Sequence, residues 1–120
     1  MIIAHRRLII TDPSGDIEVP VRLFQPEQDD RMWICRYEID WPNRRRSYFA
    51  AGADGMQALT LAIRTIGVEI YTSEYHESGT LRWVEQGRGY GFPVGDRACD
   101  LLIGDGAKPI EPYPTSRATD

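Results

Sequence analysis

Residues 53–79 read ADGMQALTLAIRTIGVEIYTSEYHESG, and the rest of the chain is arranged around them. Apolar side chains at Met56, Leu59, Ile63, Ile66 and Ile70 alternate steps of three and four, which lines them along one face of a helix. Asp54 precedes the run and Gln57 follows three residues later, the capping-box pattern that satisfies free amide N–H groups at a helix start. Gly79 supplies the matching stop. Burying five such side chains is worth roughly 8–15 kcal/mol gross, at about 1.5–3 kcal/mol each. That is comparable to the net stability of a whole domain.

The layer that covers this face comes from the residues before it. Trp33, Cys35, Tyr37, Ile39 and Trp41 alternate with Ile34, Arg36, Glu38 and Asp40, giving a strand with one apolar and one largely charged face. Pro42-Asn43 marks a tight turn, and Arg44 to Ala51 returns as a strand carrying Tyr48. Upstream, Ile2 to Thr11 reads as a strand, Asp12-Pro13-Ser14-Gly15-Asp16 as a turn and Ile17 to Phe24 as the returning strand. Pro20 lacks an N–H, which puts it at an edge or a bulge. Gln25 to Arg31 is polar and reads as a loop.

Downstream, Thr80 to Glu85 is a candidate fifth strand bearing Leu81 and Trp83, and residues 87–95 form a glycine-rich loop. Asp96 to Ile103 fits a short helix, with a short buried strand as the alternative. Gly67 falls on the buried side of the long helix, where close approach to the sheet would offset its cost of about 1 kcal/mol. The expectation is α+β: an antiparallel meander of four to five strands, one long helix across one face and a short C-terminal helix. Residues 1–104 make a single domain, and 105–120, with Pro109, Pro112 and Pro114, a mobile tail.

Composition narrows the function classes. A formal net charge of -4 argues against a general nucleic-acid binder. No apolar run approaches the roughly 20 residues a membrane helix needs. The opening MIIAHRRLII lacks signal-peptide order, so a cytoplasmic protein is expected. Of the two cysteines, Cys35 sits in the alternating strand and reads as a buried free thiol; Cys99 is expected to be free as well.

Few strings carry chemistry. Arg88-Gly89-Tyr90-Gly91-Phe92 matches the opening of an RNA-binding signature, but Pro93 stands where its strand needs an N–H donor. The glycines at 87, 89 and 91 have the wrong spacing for a dinucleotide loop. His5-Arg6-Arg7 and Arg44-Arg45-Arg46 fit solvated strand edges better than anion sites, with Glu38 and Asp40 available to neutralise part of the second. His76 with Glu74 and Glu77, and Cys99 as a further candidate, lacks metal-ligand spacing, and no nucleophile motif exists. No catalytic residue, metal or cofactor is expected.

One grouping holds interest. Tyr71 and Tyr75 lie one helical turn apart, and Trp83, Tyr90 and Phe92 follow soon after. If helix end and loop meet, they form an aromatic cluster with His76 and Arg82 at its rim, either a second small core or a surface for a partner. The candidate binding residues are Tyr75, His76, Arg82, Trp83 and Tyr90, with Phe92 buried and Tyr90 half-exposed.

A wider set carries a family resemblance: Trp41-Pro42, Gly52, Asp54, Gln57-Ala58-Leu59, Gly67, Tyr71, Leu81, Trp83, Gly89-Tyr90-Gly91-Phe92-Pro93-Val94 and the run from Asp100 to Asp105. Together these resemble a family of small bacterial proteins labelled only as a domain of unknown function. The resemblance implies a compact bacterial domain and brings no activity, cofactor or site residue. The expected function is a non-enzymatic protein-interaction module of immunity-like or regulatory type. The alternative is a small-molecule-binding domain or minor enzyme with an aromatic pocket near the glycine-rich loop.

Overall fold

The computed structural model describes residues 1–83 and 89–93. Two long strands, β1 (Ile2–Ile10) and β2 (Ile17–Phe24), form an antiparallel pair. Their connection is a turn held by the Asp12 side chain, which accepts from the Ser14 amide at 3.0 Å and from the Ser14 hydroxyl. Next come β3 (Glu27–Asp29), β4 (Met32–Trp41) and β5 (Arg44–Gly52). β4 has the most partners of any described strand: it pairs with β5 from Trp33 to Trp41, with β3 over Met32 to Ile34 and with β2 over Tyr37 to Ile39. β6 (Leu81–Arg82) adds to the far side of β1 at Ile9 and Ile10.

The short β3 lies inside the stretch expected to be a loop. Asp29 pairs with Met32, so Asp30 and Arg31 alone make the hairpin turn, and Asp30 takes a φ of 59°. Asp is among the few side chains that accept this left-handed region, so the turn forms without the glycine that would mark it in sequence. Pro20 lies just beyond the β2–β4 ladder, which begins at Val21. Its missing N–H costs no pairing on that side.

Period-two alternation gives the sheet two unlike faces. Leu8, Ile10, Val19, Val21, Leu23, Cys35, Tyr37, Ile39 and Trp41 are buried on the inner face. The outer face carries charge, and cross-strand register neutralises much of it: Arg22 meets Glu38 at 2.9 Å and Asp40 at 2.7 Å, and Arg45 meets Asp40 at 2.8 Å. Hydrogen bonding by Arg22 is the main cause that holds the Asp40 carboxyl below its usual range; burial opposes it, and Arg45 adds to the depression. Cys35 is a buried free thiol that donates to the Phe24 carbonyl oxygen at 3.2 Å, and burial pushes its pKa up.

The long helix α1 (Gly55–Tyr71) covers the inner face. Its start follows the expected cap: the Gln57 amide donates to Asp54 at 2.8 Å, and the Ala53 amide donates to the Gln57 side chain at 2.6 Å. Its buried face is turned from the one the large residues mark. Ala58, Ala62, Ile66, Gly67, Ile70 and Tyr71 are buried, Leu59 and Ile63 are half-buried, and Met56 is 80% exposed. Half of the six buried positions are thus small residues, Ala58, Ala62 and Gly67. Gly52, at the end of β5, belongs to this contact: a Cβ there would lie 2.6 Å from the Ala58 nitrogen.

The helix also ends earlier than expected. Thr72 and Ser73 hydroxyls donate back to the carbonyls of Val68 and Ile70, each at 2.7 Å, offering the backbone an alternative to further helix. A separate turn, α2 (Glu74–Glu77), starts on Ser73, and Gly79, at a φ of 75°, closes that turn instead of α1. No helix among the described residues is long and apolar enough to cross a membrane. The expected short helix over 96–103, the tail from 105, both ends of the glycine-rich loop (87–88 and 94–95) and Cys99 lie outside the described residues.

Candidate functional site

The predicted aromatic residues divide among three places. Tyr71, at the end of α1, meets His76 of α2 and Tyr90 with ring centroids 5.0 and 4.9 Å away. His76 Nδ1 lies 2.7 Å from the Tyr90 hydroxyl, and the Tyr90 amide donates to the Tyr71 hydroxyl at 3.4 Å. Tyr90 is only 2% exposed, and burial, with Tyr71 adding, pushes its hydroxyl up to about 12. Tyr90 therefore meets the half-buried His76 from inside the fold. Tyr75 instead stacks on Trp41, centroids 5.3 Å apart and planes 18° apart.

Arg82 is not at the rim of this cluster. Leu81 points into the core, so alternation sends Arg82 to the outer face, where it bonds Asp16 at 2.9 Å. The expected division between Tyr90 and Phe92 is reversed: Tyr90 is buried and Phe92 half-buried. Gly89 and Gly91 have φ of 85° and 78°, so 89–93 turns sharply and is not a strand. A ring enclosed as Tyr90 is offers no face to a base.

The second place is organised by Arg6, which sequence reading grouped with a solvated edge. It shares the parity of Leu8 and Ile10, a signal that would have put it on the inner face. Its guanidinium lies 3.9 Å from the Trp83 ring centroid and 4.9 Å from that of Phe92. Nη1 donates to the carbonyls of Tyr90 and Gly91 at 3.1 and 3.2 Å. Gly91 is required here, because a Cβ would lie 2.6 Å from both Arg6 Nη1 and Trp83. Burial lowers the Arg6 pKa from its ordinary value. Beside it, between β1, β2 and α1, opens a cleft of about 240 Å³ walled by Val21, Leu23, Ile63, Ile66 and Phe92.

The third feature is an open sheet edge. Among the described residues, β5 pairs with β4 alone, leaving its other side unpaired along nine residues. Alternation splits the arginine triplet across that strand. Arg45 faces Asp40 outside, while Arg46 meets Glu69 of α1 at 2.9 Å inside, where Glu69 also accepts from Tyr37. Tyr48 and Phe49 follow, 49% and 43% exposed, with ring centroids 5.2 Å apart. Sequence reading noted Tyr48 only as a strand residue.

Comparison with known proteins gives one match. A family described as Domain of unknown function (DUF6968) matches over residues 4–94. No curated protein and no solved structure matches. The match takes in the six described strands except the first two residues of β1, the capped helix and the Arg6 niche, and on it the chain belongs to the DUF6968 family.

Proposed function

We propose that the chain is a non-enzymatic, cytoplasmic protein-interaction module of bacterial origin, of regulatory or immunity type, whose partner adds an extended segment to the edge of β5. The observation that carries this reading is the open nine-residue edge with two exposed rings beside it. Edge N–H and C=O groups give a partner strand its affinity, and side-chain contacts give it register. Tyr48 and Phe49 lie beside this edge with their ring centroids 5.2 Å apart, so an added segment would meet a contacting pair of aromatic rings. Arg44 has no ion pair among the described residues and would favour an acidic residue at one end of that segment.

Affinity capture from the native host's lysate, with mass spectrometry, tests the reading. A specific partner should be retained by the wild-type chain and lost by the Tyr48→Lys, Phe49→Lys double variant. That variant should keep its fold, because both rings are already exposed. A partner held equally by both chains would contradict the proposal, as would capture of no specific protein.

A further inference from the structure

The cleft beside Arg6 is separate from the β5 edge and has its own chemistry. A guanidinium carries five N–H donors. Arg6 uses Nη1 for the carbonyls of Tyr90 and Gly91, and among the described residues no carboxylate pairs with it. Nε and Nη2, the two nitrogens that form a side-on fork, make no bond to a described residue. Trp83 and Phe92 lie against the guanidinium and hold its orientation. A positive charge is thus fixed in place at the mouth of an apolar cleft, with three of its five donors making no bond to a described residue.

We propose that this cleft is a binding site for a compact apolar carboxylate. The carboxylate would take the Nε and Nη2 edge of Arg6 in a bidentate pair, the geometry to which a planar guanidinium is matched. The hydrocarbon would lie against Val21, Leu23, Ile63 and Ile66. Size sets the class: an engineered cavity of roughly 150 Å³ holds benzene, and this cleft of about 240 Å³ has room for a ring with a short acidic arm. The largely apolar walls disfavour a strongly hydrated phosphate, since Arg6 and His5 are the only polar side chains among the described residues that line the cleft.

Methyl NMR on the full chain, titrated with benzoate and separately with its neutral counterpart benzamide, tests this. Benzoate should give saturable shifts at the methyls of Val21, Leu23, Ile63 and Ile66, with an affinity roughly tenfold or more above that of benzamide. Arg6→Met, which keeps the apolar stem, should erase the preference for the acid. Ile63→Trp, which fills the cleft from its half-buried rim while leaving Arg6 intact, should abolish binding and covers the case in which the Arg6 variant fails to fold. Three results would overturn the proposal: no saturable shift at these methyls, equal affinity for benzoate and benzamide, or undiminished binding by Ile63→Trp. None of them bears on capture through β5.

Discussion

Tyr37 is wholly buried, yet its phenol donates to Glu69, a residue on the far layer that also bonds Arg46 at 2.9 Å. Burial, and then the contact with Glu69, pushes the Tyr37 pKa well up, so the phenol stays a donor at any ordinary pH. Glu69→Ala would leave that hydroxyl without its partner, and urea denaturation should show a loss of about 1–3 kcal/mol. On the outer face, Asp40 has a depressed pKa, so its contribution to stability is complete above its ordinary value near 3.8 and is lost as pH falls through the lower folded value. Asp40→Asn should therefore lower Tm near neutrality and flatten the acid limb of Tm against pH. An unchanged acid limb would mean that the Arg22 and Arg45 contacts contribute nothing in solution. At this scale alternation made much legible, including Cys35, Tyr37 and the charge opposite them. It failed at Tyr90 and Phe92, because two glycines in the left-handed region decide which ring turns inward, and sequence gives their identity but not their φ.

The helix separates periodicity from packing. Its start was legible because Asp54 and Gln57 cap it locally. Its buried face was not, because hydrophobic spacing weights large residues, whereas the small residues Ala58, Ala62 and Gly67 are buried and Met56 is exposed. Two substitutions distinguish the faces. Ile66→Ala should cost about 2–5 kcal/mol through lost burial and a residual cavity, whereas Met56→Gln, at a position 80% exposed, should stay within about 0.5 kcal/mol. Equal losses at the two positions would restore the face that the large residues mark. Gly52→Ala should also destabilise, since its Cβ would meet backbone atoms of the first helical turn that cannot swing aside. Calorimetry showing an unchanged Tm for that variant would mean the strand end and helix sit further apart.

Among the described residues, one long helix covers one face of a sheet whose other face carries paired charges and whose β5 side is open. The covered and charged faces were legible from the pattern of β4 alone, since a single well-alternated central strand fixes both. The open edge was not, because strand order is a property of pairing across the chain, and β3 was hidden in a polar stretch by its Asp turn. The Arg6 niche escaped for a related reason: its walls come from β1, β2, α1 and the 89–93 turn, far apart in sequence. The reading of the chain as an interaction module rests on β5 being an edge in the free protein. Backbone amide hydrogen exchange, resolved by residue, tests this directly. Alternate amides from Arg44 to Gly52 should exchange rapidly, while those of Tyr37, Glu38 and Ile39, in the strand paired on both sides, should be slow. Uniform protection of every amide along β5 in the isolated monomer would contradict it.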